Sequence, residues 1–211
     1  AFTSTQVGEL STAQVNALTA TNVGLLDATT QINGLTASQI AAMTSTAFGG
    51  LTATQLGNFS TAQIGGLTAS QVKSLSTTDF GSLSETQIDG LKASQLGQIS
   101  TTNFNTIDQT AIQALSAAQV AGVGTTQLAG IDSTTLGQFT AAQIDELTAA
   151  QLGSLTATNF SALGTTALSA LTATQLKGVT ATQMAGLSSA ALGAFTSTQV
   201  GELSTAQVNA L

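Results

Sequence analysis

Hydroxyl groups are the only abundant reactive side chains in this protein, and the partners that would activate one are missing. The 211 residues include no His and no Cys. The commonest general base and the strongest protein nucleophile are therefore both absent. A Ser–Lys pair is the remaining arrangement, but Lys73, Lys92 and Lys177 are scattered along the sequence. Ten carboxylates could in principle hold a hard cation, yet they are dispersed as well. Asp145 and Glu146 are adjacent, without the spaced oxygen ligands of an EF-hand loop around them. Asp27, Asp108 and Asp132 each follow an apolar residue and precede a short run ending in another, the setting of a helix N-cap. These residues predict no enzyme, no metal and no cofactor.

Composition narrows the class further. Only 6% of residues are charged and 4% aromatic, whereas 42% are hydrophobic. An ordinary globular domain carries about 25% charged residues. A disordered tract would be poorer in apolar residues. The net charge of −7 and the three lysines predict no nucleic-acid partner. No apolar run is long enough to span a membrane. The sequence starts at Ala1 without Met or a signal peptide, which predicts a segment of something longer. Scarce Lys and Arg leave few trypsin-type cleavage sites, which suits an extracellular setting.

An eight-residue repeat must position whatever these residues do. From Phe2 to Ala210 the chain divides into 26 units, all octads except the nine-residue unit from Leu26 to Gly34. Typical octads are FTSTQVGE (2–9), LTATQLGN (51–58) and LTAAQLGS (147–154). Position 1 is apolar in all 26 units and position 6 in 25; in the nine-residue unit Ile32 comes one place later. Position 2 is Ser, Thr or Asp in 23 units, the exceptions being Lys92, Gly124 and Gly164. Fourteen units combine Ser or Thr at position 2 with Gln at position 5, and Gly is common at positions 7 and 8.

A continuous helix does not fit, because eight residues at about 100° each leave about 80° of drift per unit. A helix restarted in every octad does. Ser or Thr at position 2 is an N-cap, and Gln three residues later completes a capping box. The apolar residues at positions 1 and 6 form a hydrophobic staple. Gly at position 7 or 8 is expected to end the turn in a left-handed conformation. Glu9, Asp89 and Glu202 fall at these positions, the expected exposed corner. One helical turn is unstable alone and needs stacked neighbours. The predicted fold is all-α, a solenoid of single-turn helices, one per octad. The alternative is a β-solenoid, in which Thr-x-Thr pairs such as Thr52 and Thr54 would line one face.

Longer rhythms overlie the octad. Gln at position 5 gives way to Asn22, Ala47, Asp79, Asn103, Thr135, Asn159 and Ala191 at alternating intervals of three and four units. Seven coils in 24 octads correspond to about 3.4 octads, or about 27 residues, per coil. Phe48, Phe80, Phe104 and Phe160 follow this rhythm and mark either a wide core corner or a stripe for lateral contact between rods. Residues 194–211, AFTSTQVGELSTAQVNAL, are identical to residues 1–18. Residues 1–211 therefore read as one continuous solenoid, with 1–193 a super-repeat and 194–211 the start of the next copy.

The octad seen in LTASQI (35–40), LTATQL (51–56) and LSAAQV (115–120) resembles the octapeptide-repeat tracts of giant bacterial secreted or cell-surface proteins. The resemblance implies an extracellular, adhesin-like or fibre-forming role and carries over no site residues. The expected function is thus structural: a secreted or cell-surface fibre, filament or adhesin stalk. Its expected partners are further tandem copies, laterally bundled rods, or another cell surface. The alternative is a solenoid binding ice or polysaccharide through rows of threonine.

Overall fold

Each unit folds as one short helix, and the reason is visible within a single octad. In the computed structural model, which describes residues 2–211, Thr52 has extended backbone (φ −83°, ψ 156°) and caps Ala53–Gly57. Its hydroxyl accepts from the Gln55 N–H at 3.2 Å, while Gln55 Oε1 accepts from the Thr52 N–H at 2.8 Å. Both staple residues of this unit, Leu51 and Leu56, are buried. At the far end the Phe59 N–H returns to the Leu56 carbonyl. The chain is by then extended again for the next cap.

This pattern recurs from Ser4–Gly8 to Thr205–Val208. Among the described residues there are 25 α-helices and one 3₁₀ helix, Ile32–Gly34, which belongs to the nine-residue unit. No strand occurs among them, so the β-solenoid alternative is not formed. The position-2 member of each such pair, as Thr52, is instead committed to a helix N-terminus, while the position-4 member, as Thr54, is exposed within the helix.

The chain divides into two compact units, Ala1–Asn103 and Phe104–Leu211. In the first, each helix packs on the third one along: Ser4–Gly8 on Ile32–Gly34, Thr12–Asn16 on Ala37–Ala42, and Ala53–Gly57 on Thr77–Gly81. The second follows the same rule, with Thr125–Ala129 on Ala149–Ser154 and Ala181–Ala185 on Thr205–Val208. Within each unit the fold is an all-α repeat solenoid. Bonds between coils join residues 25 apart, as Asn105 to Gly130, and 28 and 31 apart, as Gln63 to Leu35 and Ile32. These separations bracket the coil of about 27 residues expected from the rhythm of the octads.

The glycines work differently from expectation. Among the described residues only Gly164 has positive φ, at 82°. Gly164 begins a helix rather than ending one; helices end either in right-handed geometry, as at Gly66 (φ −85°, ψ −13°), or directly in extended backbone, as at Met43 (φ −60°, ψ 138°). The left-handed stop is therefore corrected: helices end where the chain turns extended for the next cap, except before Gly164, where Leu163 keeps right-handed geometry (φ −60°, ψ −19°). Glycine is needed for closeness between coils. A Cβ on Gly178 would sit 2.7 Å from Ala149 Cα, and one on Gly34 would sit 2.7 Å from the Ser4 carbonyl carbon.

Candidate functional site

The most regular chemistry in the molecule is a row of buried side-chain amides between coils. Gln63 serves as the type case. Position 5 is the third residue of the helix, so its side chain turns back toward the cap, where Oε1 accepts from the Ser60 N–H at 2.7 Å. This leaves Nε2 directed at the preceding coil. It donates to the carbonyls of Ile32 (2.9 Å) and Leu35 (2.7 Å). Ile32 opens the three-residue 3₁₀ helix Ile32–Gly34, and Leu35 is its extended C-cap. Their oxygens belong to the acceptors a helix end leaves without full intrahelical partners. One glutamine thus supplies an orphan donor at its own helix N-terminus and two orphan acceptors on its neighbour.

The same bridge is made by Gln87 to Leu56 and Phe59, and by Gln95 to Ile64 and Leu67. In the second unit Gln143 reaches Ile112 and Leu115, and Gln183 reaches Leu152 and Leu155. Gln63, Gln87, Gln95 and Gln183 are each less than 5% exposed. Burying an amide without partners is costly, and here three bonds surround it.

The exceptions show which of the two tasks is retained. Lys92 and Gly124 offer no side-chain cap, yet their N–H groups still donate to Gln95 and Gln127 Oε1, both at 2.6 Å. In the nine-residue unit the glutamine moves one place to Gln31, accepts from the Asp27 N–H at 2.7 Å, and donates to the Phe2 carbonyl at 2.6 Å. At two of the rhythmic departures a shorter amide keeps part of the bridge. Asn103 Nδ2 donates to Leu75 at 3.0 Å, and Asn159 Nδ2 to Ile131 at 2.7 Å.

The residues singled out for chemistry are not brought together. Lys73, Lys92, Lys177, Asp145, Glu146, Glu9, Asp89 and Glu202 are all exposed. Asp108 and Asp132 cap helices, accepting from the Ala111 and Thr135 N–H groups at 2.9 and 2.7 Å. Asp27 accepts from the hydroxyls and the N–H groups of both Thr30 and Thr29. These bonds, the Thr30 hydroxyl foremost, lower its pKa to about 2. Phe48, Phe80, Phe104 and Phe160 are at most 4% exposed, which places them in the core rather than on a lateral surface.

Among the described residues, no three acidic side chains lie close enough to hold a metal ion. None of the helices there is long and apolar enough to cross a membrane. A shallow groove is bordered by Ser4, Thr5, Glu9, Thr29 and Thr30, with Glu9 the one ionisable side chain along it. The N-terminal coil also has an apolar opening of about 360 Å³ lined by Phe2, Val7, Leu10, Leu18, Asn22, Leu26 and Leu35.

The fold and the amide rows define the class: an all-α repeat solenoid whose coils are joined by glutamine. No protein-family model and no curated protein matches the sequence.

Proposed function

We propose that this chain is a non-enzymatic structural repeat, a segment of a secreted or cell-surface fibre, filament or adhesin stalk. The observation that carries the reading is where its buried polar groups go. The glutamines that bridge the coils are spent on helix caps and on the neighbouring coil rather than gathered into one pocket. An enzyme or receptor ordinarily gathers a few polar groups in one concave place. This chain instead distributes the same arrangement along its length.

The sequence recurrence supports the same reading. Residues 194–211 repeat residues 1–18 without a change, so a further copy would meet the same coil-to-coil chemistry. In repeat proteins each repeat contacts only its neighbours, and added copies lengthen the assembly without changing its interior. The resemblance to repeat tracts of large bacterial surface proteins points in the same direction.

The test is length against copy number. Chains carrying one, two and four tandem copies of residues 1–193 should show contour lengths rising linearly in negatively stained micrographs. Collapsed particles whose longest dimension does not rise with copy number would overturn the proposal.

A further inference from the structure

One unit departs from the octad chemistry at every point where the others are held. Of the 26 units, only Leu163–Ala170 lacks both a capping side chain at position 2, which is Gly164, and an amide at position 5, which is Ala167. Units with one of these losses keep the other device. Asp108 caps the helix that carries Ala111, accepting from the Ala111 N–H at 2.9 Å. Gly124 is followed by Gln127, whose Oε1 accepts from the Gly124 N–H at 2.6 Å.

The backbone and the packing depart at the same place. Leu163 stays right-handed (φ −60°, ψ −19°) where a cap is elsewhere extended, and no side chain caps the helix Gly164–Ala170. Gly164 takes φ 82° with nothing within 4 Å of where its Cβ would be. Glycine therefore serves a left-handed turn here and not a close approach between coils. Between Leu35 and Val179, Leu163 is the one position-1 residue that is not buried; it is half-buried. Beside it lies a cavity of about 130 Å³ bordered by Leu136, Phe139, Ile144 and Leu163. Gly164, Thr165 and Thr166 are exposed, whereas Ala167 and Leu168 are buried. The far end of the helix is pinned, because Gln199 Nε2 donates to the Leu168 and Leu171 carbonyls.

We propose that Leu163–Thr166 is a built-in opening point of the second compact unit. The segment unravels while the coils around it stay closed, and it uncovers the apolar seat formed by Leu136, Phe139 and Ile144. No cap and no amide bridge must be broken, and a half-buried leucine gives up little apolar burial. Segments held by so few interactions open at the low end of local stability. In tandem copies, the reading proposed above, such a point recurs once every 193 residues; the opening itself does not rest on that reading.

Backbone amide hydrogen exchange on the whole 211-residue chain, followed by NMR and corrected for intrinsic rates, tests the proposal. Unravelling of Leu163–Thr166 removes the carbonyls one helical turn before the Leu168, Ser169 and Ala170 amides. Leu152, Gly153 and Ser154 hold the same three positions in the regular helix Ala149–Ser154. The expected result is exchange at least about ten-fold faster at 168–170 than at 152–154, and nearly independent of low urea concentration. The paired substitution Gly164→Thr with Ala167→Gln restores the octad and should bring 168–170 to the rates of 152–154. Equal rates at the two sites in the parent chain would overturn the opening point. So would a urea dependence at 168–170 as steep as at 152–154, or fast exchange that persists in a paired variant whose circular dichroism matches the parent. Linear lengthening of tandem-copy chains beside any of these results would leave the fibre reading standing and locate the failure in the opening point alone.

Discussion

At the scale of single residues, glutamine at position 5 holds two structures together at once. A capping box accepts Glu as readily as Gln, yet Glu never occupies position 5 in this sequence. The amide N–H₂ explains the exclusion, because a carboxylate could cap but would turn an acceptor toward two carbonyls. Gln183, 1% exposed and bonded to the Thr180 N–H and to the Leu152 and Leu155 carbonyls, is the sharpest case. Gln183→Ala should lower stability by about 2–4 kcal/mol in denaturant unfolding, since it strands buried groups as well as losing bonds. Gln183→Glu should be worse than Ala at neutral pH and should recover as acid protonates the carboxyl; a Glu variant as stable as the parent at pH 7 would contradict the bridging role. The cap was legible in the spacing of Ser or Thr and Gln. The bridge was not, because the carbonyls it reaches lie 28 and 31 residues away. The absence of Glu, and the Gln kept at Gln95 and Gln127 after caps with no side-chain acceptor, were the signals that could have revealed it. Asp27 provides a pH prediction with a defined sign. Its folded pKa of about 2 lies below the ordinary 3.8, so its contribution is present above about pH 4 and fades as pH falls toward 2. The parent chain should lose more stability over that interval than Asp27→Asn does.

At the scale of the element, the octad was read correctly except at its end. The cap, the staple and one helix per unit all appear as the spacing predicts, because each depends on residues within four or five positions of one another. Glycine was assigned a local task, ending the helix in a left-handed turn, but its constraint comes from the next coil. Gly178 lies against the backbone of Ala149, with no room for a methyl group. Gly81, inside Thr77–Gly81, has nothing within 4 Å of where a Cβ would be. Gly178→Ala should therefore destabilise by about 1–3 kcal/mol through overpacking. Gly81→Ala should stabilise by roughly 0.5–1 kcal/mol by reducing the freedom of the unfolded chain. Thermal unfolding of the two variants checks this, and shifts of the same sign would refute the close-packing explanation. The phenylalanines show the same limit of local reading. Phe104 and Phe160 are fully buried, and a sequence period alone does not distinguish an inward stripe from an outward one.

At the scale of the molecule, the rhythm of interruptions was the informative signal. Departures from Gln every three or four units placed the coil between those values, and the amide bonds within each compact unit agree. The nine-residue unit shows how an insertion is tolerated: Gln31 and Ile32 shift together, and the bridge to Phe2 is kept. The super-repeat was legible as an identity between 1–18 and 194–211. Side-chain amide hydrogen exchange followed by NMR shows whether these amides join coil to coil. The Nε2 protons of Gln63, Gln143 and Gln183 should exchange orders of magnitude more slowly than those of Gln6 and Gln14, which face solvent in the same chain. Uniformly rapid exchange at all five would contradict that join.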